Sequence, residues 1–145
     1  MIERRRLVST EMSSIDPHAA ALFATYQNCL NTSDLKATLA LYEPTGVILM
    51  PHKTPSIGHA ALEETYRELY ALVDHHVEIT VEEATVAAVG QWAFARTACR
   101  GKTVVRATGE EVADAVQQLW VLKAADGGSG WRISHYAFSQ MGEEA

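Results

Sequence analysis

The hydrophobic period of the chain changes near Asp74, and no other sequence feature limits the possible folds as strongly. Before this residue, the apolar positions of segment 62–73 recur at helical spacing and comprise Leu62, Tyr66, Leu69, Tyr70 and Val73. After it, Val77, Ile79 and Val81 alternate with polar residues, which is typical of a strand with one solvent-exposed face. Helices followed by strands predict an α+β domain.

Two helices are predicted near the start of the chain. An Asp-Pro pair precedes a helical repeat of apolar residues and predicts a first helix over residues 17–31. Ser33 or Asp34 caps a shorter second helix, which ends at Pro44 and has Tyr42 on its apolar face. We therefore expect two helices that meet at a tight corner.

The rest of the chain is predicted to contain one more helix and a series of strands. The apolar run 47–50 predicts a short strand, and Gly58 begins the third helix. Turn signals at 89–91, 108–110 and 126–130 separate the long strands that follow. We expect an antiparallel meander, with three helices covering one face of a curved sheet.

Size and charge exclude several classes of protein. A chain of 145 residues fits one domain, for which we expect residues 16–141, after a partly ordered N-terminal tail over residues 1–15. The net charge is -6 and the basic residues are scattered, so the chain lacks the basic patch that binds nucleic acid. No apolar run approaches the roughly 20 residues that span a bilayer, and we expect no membrane association.

The cysteines and histidines show no metal-binding pattern. Cys29 and Cys99 lie on different predicted elements, and no CxxC spacing is present. His75 and His76 are adjacent, so they point to opposite sides of an extended chain. We predict no metal, no organic cofactor and a reducing, cytoplasmic location.

Three stretches, in this order of elements, carry a family resemblance. They are LNTSDLKATLALYEP at the helix corner, PHKTPSIGHAALEETYRELY before and in the third helix, and LWVLKAADGGSGWRISHYAFSQ over the last hairpin. Together they resemble the nuclear transport factor 2-like superfamily, and within it the SnoaL-like and ketosteroid-isomerase-related proteins, over roughly Pro17 to Gln140. The resemblance implies a cone-shaped α+β fold around a mostly apolar pocket. It also implies a homodimer formed through the outer sheet faces, and activities that include isomerases, dehydratases, polyketide cyclases and epoxide hydrolases.

The resemblance assigns roles to three positions. Ketosteroid isomerases carry an oxyanion-binding tyrosine five residues before the asparagine of an LN-x-x-D corner, and Tyr26 stands five residues before Asn31. Their general base is an aspartate directly before the proline that closes the first strand, where this chain has Met50. A third family residue, an aspartic acid that donates to the oxyanion, corresponds to about Gln117. The resemblance thus implies Tyr26 and Gln117 as donors, with the base at another position.

Histidines are the candidates for proton transfer, because their pKa lies near the operating pH. His135 corresponds to a pocket-facing position of the family on the last strand, and strand alternation places Ile133 and Ala137 on its side. His52 lies two residues beyond Met50, in the loop at the expected pocket mouth. We predict His135, or alternatively His52, as the acid or base.

The family register also sorts the residues of the long strands into two faces. The inward residues are Ala93, Ala95, Thr97 and Cys99, whose small side chains leave room for a ligand. The residues expected to line the pocket are Met50, Tyr42, Tyr66, Tyr70, Ala95, Thr97 and Leu119. On the outer face, Trp92 and Phe94, joined by Trp120, form an apolar patch that a homodimer would bury, or that packs under the N-terminal tail.

Two functions remain open from the sequence. The first is an enzyme that catalyses an enolisation-type cyclisation, isomerisation or dehydration of a cyclic ketone or polyketide-like substrate. The second is a non-catalytic module that binds a small apolar ligand or a partner protein, which the methionine at position 50 favours. Tyr26 and His135 also have plainer interpretations, as core packing and as a structural histidine.

Overall fold

The computed structural model describes residues 15–126 and 130–142. The helices are α1 (Pro17–Thr32), α2 (Leu35–Ala40) and α3 (His59–Leu72). The strands are β1 (Tyr42–Leu49), β2 (Ser56–Ile57), β3 (Val73–Val86), β4 (Trp92–Val105), β5 (Glu111–Ala124) and β6 (Trp131–Gln140). Residues 1–14 of the predicted tail and residues 127–129 of the last predicted turn lie outside the described residues.

The strands form one six-stranded sheet in the order β2-β1-β6-β5-β4-β3. Strands β3 to β6 pair antiparallel with their neighbours, which confirms the predicted meander. Strand β1 runs parallel to β6 and antiparallel to β2. Helix α1 packs against β3, α3 packs against β1, and α2 packs against both other helices. The predicted α+β fold, with N-terminal helices on a curved sheet, is confirmed.

Local sequence signals begin the first two helices. Asp16 Oδ2 accepts a hydrogen bond from the backbone N–H of Ala19 at 3.0 Å. Asp34, rather than Ser33, caps α2, because its Oδ1 accepts from the backbone N–H of Ala37 at 3.0 Å. Ser33 instead ends α1 in the left-handed region, with a φ of 53°. The corner between the two helices is therefore built from adjacent capping residues.

The predicted end of the second helix at Pro44 is wrong. Helix α2 ends at Ala40, and Tyr42 begins β1, where it pairs with Ile133 of β6. The Tyr42 side chain is only 1% exposed, and burying so large a ring outweighs the helix propensity of a short segment. Pro44 lies where the β1–β6 register shifts, a place that tolerates the missing backbone N–H of proline.

Strand β4 has the two faces that the family register predicted. Its buried inward residues are Ala93, Ala95, Thr97 and Cys99. On the opposite face, Trp92 and Phe94 are 40% and 43% exposed. Small side chains therefore cover the inner face of β4, and aromatic rings lie on its outer face.

On β5 the expected register is wrong by one residue. Gln118, rather than Gln117, pairs with the inward-facing Thr97. Leu119 lies on the outer face and is 54% exposed, whereas Trp120 is completely buried. Because side chains alternate along a strand, a slip of one residue exchanges its two faces. The expectations of Gln117 as a pocket donor, Leu119 as pocket wall and Trp120 as an outer contact therefore fail together.

The prediction that His135 faces the pocket is also wrong. Ile133 pairs with Leu122 and His135 pairs with Val121, so Ser134 is an extra residue in β6. Such a β-bulge changes the side on which the following residues lie. The His135 side chain is exposed on the outer face, and its Nδ1 lies 2.8 Å from Ser134 Oγ.

An aromatic cluster fills the space between α1 and the sheet. Phe23 contacts Trp120 with ring centroids 4.9 Å apart. Trp120 stacks on Tyr136 with centroids 3.7 Å apart and an interplanar angle of 4°. Each such side chain buries roughly 150–250 Å², so the cluster both stabilises the fold and fixes the orientation of the Tyr136 ring.

Candidate functional site

A cavity of about 70 Å³ lies between α1, α3 and the inner face of the sheet. Its apolar lining residues are Leu30, Ile48, Met50, Leu69, Val116 and Phe138. Its polar lining residues include Tyr26, Thr65, Tyr66, His75, Asp114, Gln118 and Tyr136. One enclosed water needs about 10–15 Å³, so the cavity has room for about five to seven waters or a small ligand.

Three tyrosine hydroxyls are joined by hydrogen bonds beside the cavity. Tyr26 Oη lies 2.6 Å from Tyr66 Oη, which lies 2.7 Å from Tyr42 Oη. These two hydrogen bonds use two of the three hydroxyl protons, so one proton remains for another acceptor. When Tyr42 donates to Tyr66 and Tyr66 donates to Tyr26, the free proton is that of Tyr26, which lines the cavity and can donate to an oxygen atom of a ligand there.

Helix α1 supplies Tyr26, and burial keeps its hydroxyl protonated. Leu22, Tyr26 and Leu30 recur at intervals of four residues and so share the buried face of the helix. Burial raises the pKa of Tyr26 well above its ordinary value, and the neighbouring Tyr66 raises it further. A phenol with a raised pKa is a hydrogen-bond donor at neutral pH and not a base.

A second chain of hydrogen bonds begins in the core and ends at the cavity. Trp120 Nε1 donates to Thr97 Oγ1 at 2.9 Å, and Thr97 Oγ1 donates to Gln118 Oε1 at 2.6 Å. Gln118 Nε2 then donates to Tyr136 Oη at 2.7 Å. All four side chains are buried, and Gln118 and Tyr136 line the cavity. Each bond of this chain thus pairs two buried polar groups, and the proton of the Tyr136 hydroxyl remains.

Asp114 is the carboxylate among the described residues that line the cavity. It lies on β5, on the same face as Gln118 four residues later. Burial raises the pKa of Asp114, and no described residue offsets this shift. Burial and the Asp114 charge together raise the pKa of Cys99 to about 12, so that thiol is unreactive. A partly buried carboxylate without a countercharge is costly, and such groups concentrate at functional sites.

His75 is the imidazole at the cavity. It is 7% exposed, and burial lowers the pKa of His75 to about 4. The ring is therefore neutral at pH 7. Its buried Nδ1 has no hydrogen-bond partner among the described residues, and its ring packs edge-on against Tyr70 at 6.2 Å.

Residues 15–126 and 130–142 contain no group of three or more His, Cys, Asp or Glu side chains placed to hold a metal ion. In the same ranges, no helix has the length and apolar character needed to cross a membrane. The polar groups that the cavity offers are hydroxyls, an amide, an imidazole and a carboxyl group.

The family of the chain follows from a sequence match. Residues 23–132 match the family described as the SnoaL-like domain, which covers most of the chain. The chain belongs to the SnoaL-like family. A search of curated proteins found no match to this SnoaL-like protein.

Solved structures share the fold of this SnoaL-like protein. A ketosteroid isomerase-like protein from Erwinia carotovora atroseptica is 27% identical, with a TM-score of 0.78 over 86% of this chain and 94% of that chain. A conserved protein from Planctomyces limnophilus is 18% identical, with a TM-score of 0.73 over 83% and 91%. A nuclear transport factor 2-like protein from Streptomyces avermitilis, named as a candidate dehydratase, is 11% identical, with a TM-score of 0.71 over 87% and 96%. These likenesses confirm the nuclear transport factor 2-like superfamily.

Three residues that the resemblance placed at the pocket lie together at the SnoaL-like cavity. Tyr26, Tyr66 and Met50 line it. The thioether of Met50 cannot accept a proton at neutral pH, so the first-strand position supplies no base. The carboxylate of this cavity comes instead from Asp114, on a different strand.

Four other expected wall residues are buried but do not line this cavity: Tyr42, Tyr70, Ala95 and Thr97. Two of them touch lining residues, since Tyr42 bonds to Tyr66 and Thr97 bonds to Gln118. Tyr70 Oη instead lies 2.8 Å from Thr38 Oγ1. These four side chains are buried in the core without reaching the cavity. A sequence pattern predicts that a side chain is buried, but it does not predict whether that side chain reaches a cavity.

His52, the alternative candidate for proton transfer, lies away from the cavity lining. It is exposed in the turn after β1 and has a φ of 65°. His135 is on the outer face. The titratable groups at the cavity, apart from the tyrosines and Cys99, are thus Asp114 and His75, neither of which we selected from the sequence.

The sequence pattern indicates that Asp114 lies on the inner face of the sheet, but it hardly indicates this for Tyr136. Val112, Asp114 and Val116 share one side of β5, so a carboxylate stands at an apolar position of an alternating strand. Gln118 follows on the same side once the register is correct. Tyr136 lies beyond the bulge at Ser134, where simple alternation gives the wrong face.

Proposed function

We propose that this protein binds a small cyclic ketone or phenol-like ligand in the cavity and catalyses an enolisation-type step on it. The observation that carries the proposal is that one small apolar cavity is lined by a protonated phenol, Tyr26, and by a carboxylate, Asp114, that has no countercharge among the described residues. Enolisation requires a donor for the developing oxyanion and a base for the adjacent proton. The 27% identity to a ketosteroid isomerase-like protein supports the same reaction class.

The cavity size narrows the substrate to a single ring. Its volume is about 70 Å³, which corresponds to about five to seven non-hydrogen atoms if each occupies the space of one water. A cyclohexanone-sized ligand fits this estimate, and a steroid does not. The side chains of Leu30, Ile48, Val116 and Phe138 would contact the apolar part of the ring.

The proposed step needs only the substrate and two side chains. The Tyr26 hydroxyl donates to the carbonyl oxygen while the Asp114 carboxylate takes the proton from the adjacent carbon. The C–H bond breaks, a C=C bond forms, and the carbonyl electron pair moves to oxygen. Returning the proton to another carbon gives isomerisation, attack on a second carbonyl gives cyclisation, and loss of a β-hydroxyl gives dehydration. The carbonyl itself is the electron sink, so this chemistry requires no organic cofactor.

Asp114 is the group that we propose as the base in this cavity. The most effective base has a pKa near the operating pH. Burial moves the pKa of Asp114 upward, toward neutrality. Burial moves the pKa of His75 down to about 4, which makes the imidazole a weaker proton acceptor. His75 remains a neutral hydrogen-bonding group beside the ligand.

Exchange of α-protons in D₂O tests the proposed reaction without knowledge of the final product. Cyclohexanone and 2-cyclohexenone, followed by proton NMR, are expected to lose their α-proton signals faster with the protein than in buffer. Tyr26→Phe is expected to reduce this rate about 10²–10³-fold, as the loss of one oxyanion donor does. Tyr70→Phe is the matched control, because the Tyr70 hydroxyl bonds to Thr38 outside the cavity lining.

The second candidate function is ligand binding without catalysis, which Met50 at the family base position favours. In that case the ketones raise the unfolding midpoint of the protein by mass action. Their α-protons would then exchange at the buffer rate. This outcome would reject the enolisation step and keep the cavity as a binding site.

We also propose a homodimer through the outer face of the sheet. Trp92, Phe94, Leu119 and Val121 form an outer patch around paired positions of β4 and β5. Trp92, Phe94 and Leu119 are each at least 40% exposed, which is unusual for adjacent large apolar side chains on a monomer. A second copy of the chain, related by two-fold symmetry, would cover the patch with an identical patch.

Leu119→Arg is expected to convert this dimer to a monomer. Leu119 pairs with Arg96, so the substitution places two positive charges side by side in the proposed interface. Sedimentation velocity over a range of protein concentrations measures the change. Val89→Arg is the control, because Val89 is 77% exposed in the turn between β3 and β4. A wild-type protein that remains monomeric at high concentration would exclude the dimer.

The cytoplasm is the compartment that we propose for this protein. Cys29 and Cys99 are both buried and are not joined in a disulfide. Free thiols persist in reducing compartments, which supports this assignment. Direct imaging of a tagged protein tests this location.

A further inference from the structure

The chain of hydrogen bonds from Trp120 to the cavity has a direction that its first member fixes. An indole N–H can only donate, so Thr97 Oγ1 accepts the bond from Trp120 Nε1 at 2.9 Å. The Thr97 hydroxyl still has its own proton. That proton goes to Gln118 Oε1, which lies 2.6 Å away.

The same reasoning fixes the direction of the next bond, between Gln118 and Tyr136. With Gln118 Oε1 toward Thr97, its Nε2 faces Tyr136 Oη at 2.7 Å. An amide nitrogen only donates, so Tyr136 must accept. The opposite amide orientation would leave the buried Thr97 proton without an acceptor along this chain of bonds, which is unfavourable.

The proton of Tyr136 therefore points away from Gln118. Tyr136 lines the cavity, and its ring is held by the stacking contact with Trp120. Burial raises the pKa of Tyr136 well above its ordinary value, while the nearby Tyr26 and Gln118 hydrogen-bonding groups act in the opposite direction. The phenol is protonated at neutral pH, and its ring packs edge-on against that of Tyr26, with centroids 5.8 Å apart.

We propose that Tyr136 is the second hydrogen-bond donor to the ligand oxygen, beside Tyr26, and that Trp120, Thr97 and Gln118 are positioning residues that set its direction. This inference rests on the proposed function, because it requires a ligand oxygen in the cavity. Two donors from different elements favour a carbonyl, enolate or phenol oxygen over an apolar group. Tyr136 thus takes the role that the family resemblance implied for Gln117.

Gln118→Glu reverses the direction of the chain without removing a hydroxyl. The ionised carboxylate of this variant has no proton to donate, so Tyr136 must donate to it and no longer donates to the ligand. When the new carboxyl group is protonated, it donates to Tyr136 as the amide does. The variant should therefore regain wild-type behaviour as the pH falls, which a purely structural role for Gln118 does not predict.

The test compares phenol with benzene, which has the same ring but no oxygen. Proton NMR titrations give both dissociation constants. The wild-type protein is expected to prefer the phenol at least about 10-fold, and Tyr136→Phe to lose about 5- to 10-fold of this preference. Gln118→Glu should lose a similar factor at high pH only. Gln117→Glu is the matched control, because this neighbour lies on the outer face and bonds to Ser139.

The outcomes separate this inference from the proposed function. If the wild-type protein prefers the phenol and both Tyr136→Phe and Gln118→Glu keep that preference at every pH, Tyr136 is not a donor and the proposed function stands. If the wild-type protein binds the two ligands equally, both ideas are overturned. If Tyr136→Phe does not fold, the pH dependence of the phenol preference in Gln118→Glu alone decides whether Tyr136 donates to the ligand.

Discussion

Asp114→Asn is expected to lower the rate of α-proton exchange about 10²–10⁴-fold, the usual contribution of a positioned general base. Asparagine has nearly the same shape as aspartate, but its amide cannot take the proton. Asp114 lines the cavity, and no described residue forms an ion pair with it. Its negative charge therefore stabilises no ion pair within the described residues. Proton NMR of cyclohexanone in D₂O measures the rate.

Glu111→Gln is the matched control for this substitution. Glu111 lies on the same strand, and its carboxylate forms an exposed ion pair with Lys102 at 3.0 Å. Exposed pairs contribute little to stability, so this variant should exchange α-protons at the wild-type rate. Equal exchange by Asp114→Asn and the wild-type protein would remove Asp114 from the mechanism.

The same base predicts the pH dependence of exchange. The carboxylate must be ionised to accept a proton, so the rate rises with pH and levels off above the pKa of Asp114. Burial raises that pKa, which places the inflection above the ordinary aspartate value. The inflection should be absent in Asp114→Asn.

The free energy of unfolding of Asp114→Asn provides an independent check that this variant is folded. Because burial raises the pKa of Asp114, the folded state holds this proton more tightly than the unfolded chain. The resulting stabilisation is complete below the unfolded pKa and is lost as the pH rises through the folded pKa. Asp114→Asn does not suffer that loss, so at neutral pH it should be at least as stable as the wild-type protein.

The order of elements was predictable because it depends on local patterns. The helical repeat of α3 and the alternation of β3 arise from which side chains each element buries, and the caps Asp16 and Asp34 mark helix starts within a few residues. Such signals need no knowledge of the neighbouring elements. The end of α2 was missed because packing of Tyr42 against β6 and α3 decides it.

The faces of the last two strands were not predictable in the same way. Apolar residues occur on both sides of β5, as the neighbours Leu119 and Trp120 illustrate, so the pattern does not select the inner face. The extra residue Ser134 in β6 leaves no clear mark on the hydrophobic pattern. Tyr26 of α1 therefore lies at the cavity as expected from helical spacing, while Gln117 and His135 of the strands lie on the outer face.

Tyr66→Phe is expected to destabilise the protein by about 2–6 kcal/mol, because each buried hydroxyl left without a partner costs about 1–3 kcal/mol. Tyr66 Oη lies between Tyr26 Oη and Tyr42 Oη, at 2.6 Å and 2.7 Å. Removing it deprives two buried groups of their shared partner. Tyr42→Phe, by contrast, leaves the bond between Tyr26 and Tyr66 intact and should cost only about 1 kcal/mol. Urea unfolding with equal m-values measures both free energies of unfolding.

The double variant Tyr42→Phe with Tyr66→Phe distinguishes the hydrogen bonds from simple packing. Removing both partners of a buried hydrogen bond is less costly than removing one. The free-energy cost of the pair should therefore be smaller than the sum of the two single costs, with a coupling of at least about 0.5 kcal/mol in the range typical of contacting residues. Additive costs would mean that the hydroxyls act independently. In that case the order of donation from Tyr42 through Tyr66 to Tyr26, which leaves the Tyr26 proton free for a ligand, would no longer hold.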